Sequence, residues 1–142
     1  MENQALLKAV RLLESGEYTC VLCFGEHCLT TQQRGVKPLV QWLKKEIVPR
    51  GFSAADRVVG KATAFLYCIL GAKAVFAGVM SHSAKTVLEA NGIYTCCTQL
   101  TDYIENRSKD GICPFEAAVL EIDEPEQALN AIYSKLNELG IS

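Results

Sequence analysis

Three short stretches of this 142-residue chain hold residue types that could do chemistry. The first, Asp56-Arg57-Val58-Val59-Gly60-Lys61-Ala62-Thr63-Ala64, puts a glycine and a lysine at the head of an uncharged run from Phe65 to Gly71. A helix that is apolar all round is a buried one, so its start belongs at the centre of the domain, on the edge of a cleft. Lys61 then stands in the first turn, where the helix dipole favours negative charge and free backbone N–H groups suit an anion. A cation there costs about 0.3–1 kcal/mol unless an anion answers it. Asp56 or Glu116 could supply that answer from within the chain. The functional alternative is an anion site built on Asp56, Gly60 and Lys61.

The second stretch, Ser81-His82-Ser83, offers N-caps to another helix and places His82 where it can touch a ligand. The third is Cys113-Pro114-Phe115-Glu116. A thiol at a helix N-cap faces the N–H groups of the first turn, which favour a nucleophilic thiolate. Proline suits the first helical position, and Glu116 at the third by default completes a capping arrangement. Cys113, Lys61 and Glu116 are the candidate catalytic set, although no histidine lies near Cys113 in sequence to act as base. Asn106-Arg107 precedes this loop and offers a further anion contact. His27, beside a hairpin turn, reads as exposed and inert. Cys20-x2-Cys23 is a single pair without a second, so no metal set is complete and no cofactor is implied.

Composition limits the partners. A formal net charge of −2 and 21% charged residues argue against a general nucleic-acid or anionic-membrane binder. Arg11 and Glu14 interrupt the apolar residues after a start without basic character, which is no signal peptide, and no run approaches the ~18 apolar residues of a membrane span. The expected place is the cytoplasm, where the seven cysteines should be thiols.

Apolar spacing over 3–14 predicts an amphipathic helix, and Tyr18 to Phe24 predicts a strand. Gly25-Glu26 suits a two-residue type II′ turn, which pairs Phe24 with His27 and Cys23 with Cys28. Such a non-hydrogen-bonded pair should hold its Cα atoms about 4.5–5.5 Å apart. Pro38 opens a helix to about Ile47, with Lys44, Lys45 and Glu46 on its solvated face. Residues 53–57 read as an approach, with Val58-Val59 short and extended. Lys73 to Met80, a helix from Ser81 to Ala90, and Ile93 to Cys97 form a βαβ unit with two parallel strands. A short helix is expected from Leu100 to Arg107, another at Cys113, and a last one after Asp123-Glu124-Pro125. The sum is a single three-layer α/β/α domain, 1–142, on a mixed sheet.

The Asp56–Ala64 stretch, the Cys113-Pro114-x-Glu116 element and Arg34-Gly35-Val36-Lys37-Pro38-Leu39 together resemble the family known as domain of unknown function 1893. That resemblance implies a cytidine-deaminase-like fold with sheet order about 2-1-3-4 and a site at two helix starts. Zinc deaminases carry His-x-Glu at the first start and Pro-Cys-x-x-Cys at the second. Here those places hold Gly60-Lys61-Ala62 and Ser81-His82-Ser83-Ala84, so zinc-dependent deamination does not carry over. Two functions remain. One is a domain binding a small anionic molecule, phosphate or nucleotide-like, near Lys61 and Ser81. The other is a metal-independent enzyme with Cys113 as nucleophile. The sequence leaves a homo-oligomer open.

Overall fold

A computed structural model describes residues 3–33, 35–104 and 113–140. Helix α1 (Gln4–Glu14) begins at Asn3, whose side chain accepts from the Leu6 N–H and donates to Ser53 Oγ at 2.8 Å. Strands β1 (Cys20–Phe24) and β2 (His27–Thr31) form the hairpin, with Phe24 opposite His27 and Cys23 opposite Cys28. Gly25, at φ 58°, supplies the positive φ that a type II′ turn needs at its first central residue. Cys23 and Cys28 lie 4.2 Å apart at Cα, closer than expected, and form a disulfide. This departs from the all-thiol expectation, because facing positions on a tight hairpin bring the two sulfurs together whatever the compartment. Protein unfolded without reductant should therefore show five titratable thiols of the seven cysteines. A count of seven would mean the pair is open.

Helix α2 (Lys37–Lys45) stops at Glu46, which takes the left-handed conformation at φ 53°. Beyond it the fold departs from the sequence reading. The residues read as an approach form a full strand, β3 (Ser53–Val59), and it sits at the centre of the sheet. Its residues Ser-Ala-Ala-Asp are poor strand formers in isolation. Pairing on both sides, antiparallel to β1 and parallel to β4, holds them extended. Helix α3 (Lys61–Leu70), strand β4 (Ala74–Ser81), helix α4 (His82–Ala90) and strand β5 (Tyr94–Thr101) come next. β5 runs through Leu100 and Thr101, where the sequence reading starts a short helix, and 102–104 are not helical either; only 105–107 of that expected helix lie outside the described residues. Helices α5 (Pro114–Ala118) and α6 (Pro125–Glu138) complete the chain.

The sheet is mixed, in the order β2-β1-β3-β4-β5, with helices on both sides. On one face α1 buries Ala9 and Leu13 against Val21, Cys23 and Ala55. On the other, α3 is the centre of the larger core, with Ala62, Ala64, Phe65, Leu66 and Tyr67 all buried. It is buried all round because α2, α4, α5 and α6 pack against it. Its end is set by Gly71, at φ 90°, whose N–H reaches the Tyr67 and Cys68 carbonyls. Val59 pairs with Met80, so the starts of α3 and α4 stand side by side at the carboxyl ends of two neighbouring parallel strands.

Candidate functional site

In parallel α/β sheets, ligands bind outside the carboxyl ends of the strands. Here that edge carries Gly60 and Lys61 after β3, Ser81, His82 and Ser83 after β4, and Asp102 after β5. The N-terminus of α3 does hold an anion, and the anion belongs to the chain. Glu116, only 6% exposed, accepts from the Lys61 N–H through Oε1 and from the Ala62 N–H through Oε2, both at 2.8 Å. It does not cap its own helix, as its third position would suggest by default. It reaches across to α3 and satisfies two of the free donors there.

Gly60 is explained by the same contact. Its φ of −98° suits any residue, so conformational freedom is not the reason for glycine. A Cβ at this position would stand 2.5 Å from the Glu116 carboxyl carbon. Glycine is needed for space.

Lys61 itself turns away from the helix start. Its Nζ donates to the Leu120 carbonyl at 2.9 Å and lies 5.8 Å from the centre of the Phe65 ring. Leu120 lies just beyond α5, so backbone amide and side chain of Lys61 both hold the α5 segment, one through Glu116 and one through Leu120. Such paired ties explain why a lysine is tolerated beside a buried helix.

Ser81 is fully buried and caps α4, accepting from the Ala84 N–H at 3.1 Å; Ser83 Oγ lies 3.2 Å from Ser81 Oγ. His82 is exposed, with Nε2 3.9 Å from Asp102 Oδ1, a solvent-exposed contact worth little. Cys113 is half-buried at the N-cap of α5, and its N–H donates to the Ile104 carbonyl at 3.0 Å. Glu116 is committed to α3 and is not free to serve Cys113; Asp110, equally near in sequence, lies outside the described residues. Asn106 and Arg107 lie outside the described residues, as does Arg34.

Asp56 joins none of these groups. It lies half-buried on the α3 side of β3, where its Oδ2 accepts from the Tyr67 hydroxyl at 2.7 Å. Cys20 Sγ stands 3.1 Å from the same hydroxyl oxygen. Burial raises the Asp56 carboxyl to about 6, against the pull of the Tyr67 hydroxyl and the Val58 amide. Burial also pushes the Cys20 thiol and the Tyr67 phenol well up, and the Asp56 charge adds to both. The sequence pointed to Asp56 but not to Cys20 and Tyr67 as its partners, since contacts between β1, β3 and α3 have no local signature. Among the described residues, no group of three or more His, Cys, Asp or Glu could hold a metal ion. Nor is any described helix long and apolar enough to cross a membrane.

Comparison with known proteins found no match among curated sequences. A solved structure of a DUF1893 family protein from Thermotoga maritima superposes with a TM-score of 0.85 at 25% identity, covering 95% of this chain and 92% of that one. The family profile described as domain of unknown function (DUF1893) matches residues 8–136. The chain belongs to the DUF1893 family.

Proposed function

We propose that the chain is a deaminase-like domain that binds a small anionic molecule without transforming it. The site is the crevice where α3 and α4 begin. The observation that supports this reading is the carboxylate already seated on the Lys61 and Ala62 amides, which marks the crevice edge as one that attracts negative charge. With α3 answered by Glu116 and Lys61 tied to the Leu120 carbonyl, a phosphate or carboxylate from solution is received at the α4 start, by His82 and Ser83, with the Ser81 cap behind them. Binding leads over catalysis because a nucleophile needs a base within hydrogen-bond reach, and the Cys113 neighbourhood gives Glu116 to another task. In this reading the domain is cytoplasmic and works without metal or cofactor.

The test is thermal denaturation with a nucleoside monophosphate. Binding to the native state alone stabilises it by about 2.7 kcal/mol at a hundredfold excess over Kd. The rise should disappear in His82→Ala/Ser83→Ala, whose side chains are exposed and whose loss leaves the core intact. An equal rise in that variant would place the site elsewhere.

A further inference from the structure

We infer that the groove between α2 and α6 is a second binding site, for an organic anion with a planar apolar body, separate from the crevice at α3 and α4. Both helices pack on α3 but scarcely touch each other. Between them lies a cavity of about 640 Å³ lined by Lys37, Val40, Gln41 and Lys44 from α2 and by Tyr133, Leu136 and Asn137 from α6, with Gly140 beyond its end. That volume falls in the range of small-molecule sites, about 300–1,000 Å³.

The spacing of the lining residues shows what is unusual. Lys37, Val40, Gln41 and Lys44 stand at i, i+3, i+4 and i+7, one face of α2. Tyr133, Leu136 and Asn137 repeat that spacing on α6. Facing stripes of this kind normally close as an apolar seam. Here the α2 stripe carries two lysines and an amide, and the seam stays open. Among the described residues no carboxylate stands within ion-pair distance of Lys37 or Lys44, whereas Lys85 and Lys135 each meet a glutamate on their own helix. Lys44 instead lies 5.2 Å over the Tyr133 ring, which bridges the groove at one end. The floor, Val40 and Leu136, is apolar and buried.

The groove thus has a hydrophobic base, an aromatic wall, two amide groups and two positive charges that nothing described neutralises, in a chain whose net charge is −2. Such a lining selects its ligand twice. The phosphate, sulfonate or carboxylate is held between the lysine ammonium groups, and a flat body covers Val40, Leu136 and the Tyr133 ring. Simple inorganic anions satisfy only the first half.

The test uses 1-naphthyl phosphate and inorganic phosphate, titrated by calorimetry into the full chain carrying His82→Ala/Ser83→Ala, which removes the phosphate contacts of the crevice so that the groove is read alone. Naphthyl phosphate should bind at least tenfold more tightly than phosphate, and its affinity should fall with added salt. Lys37→Glu/Lys44→Gln should weaken it at least tenfold. Asn137→Trp, which fills the groove without changing charge, should do the same, so a loss in both is not a charge effect at a distance. Equal affinity for both probes, or naphthyl phosphate binding that survives both groove variants, would overturn the inference.

Discussion

Glu116→Ala is expected to destabilise the fold by about 3–4 kcal/mol, the sum of two charge-assisted bonds of about 1.5–3 kcal/mol each less what relaxation recovers. For a domain of this length that lowers Tm by roughly 10 °C. The loss is large because the bonds are buried and because they join α5 to α3 across more than fifty residues. Removing the carboxylate also strands two helix N–H groups that water reaches poorly. Glu116→Gln should lose more than half as much, since its amide keeps one acceptor and turns a donor toward a donor. Gly60→Ala should resemble Glu116→Ala although it removes no bond directly. Its Cβ takes the space in which the carboxylate sits, and Glu116, being buried, has little room to retreat. Denaturant unfolding of the three variants decides this. A Glu116→Ala chain within about 0.5 kcal/mol of the wild type, the range of ordinary surface substitutions, would mean the cap contributes nothing.

Asp56→Asn should act in the opposite direction, and only above mildly acidic pH. The folded-state carboxyl is raised to about 6 from an ordinary 3.8. The folded chain therefore binds the proton more tightly than the unfolded chain. The stability linked to this group is fully present below pH 3.8, falls as pH rises through about 6, and stays low above it. A shift of that size corresponds to at most about 3 kcal/mol, and partial exposure brings the expected figure to about 1–2 kcal/mol. Asparagine keeps an acceptor for the Tyr67 hydroxyl and never ionises. The variant should be more stable than the wild type by about 1–2 kcal/mol at pH 7.5, with the advantage vanishing near pH 4. Unfolding free energies across pH 4–8 check it. A difference that does not change with pH would show that the proton is not held at Asp56.

The hairpin and the βαβ unit were legible because their signals are local. Gly25 fixes the turn, and the apolar run from Ala74 to Val79 announces a buried strand. α3 was legible for the same reason, since a run without charge has nowhere to go but the core. β3 was not, because Ser53-Ala54-Ala55-Asp56 becomes a strand through its neighbours. The candidate site was half legible. Lys61 marked the correct helix start, and its position did call for an anion. The sequence offered Asp56 or Glu116 as that anion. That it is Glu116, seated on the backbone amides and not on the Lys61 ammonium, and that Gly60 is glycine to make room for it, depends on how the segment carrying α5 folds back over α3. No spacing in the sequence encodes that approach. The Asp56–Tyr67–Cys20 chain was hidden likewise, each member lying on a different element.

The central claim is that the start of α3 is an anion position filled from within by Glu116, and chemical rescue tests it most directly. Acetate and formate titrated into Glu116→Ala should restore stability in a saturable way, because a small carboxylate can occupy the vacated place on the Lys61 and Ala62 amides. The wild type, with that place taken, should gain markedly less. A variant that gains no more from acetate than the wild type does would contradict the account.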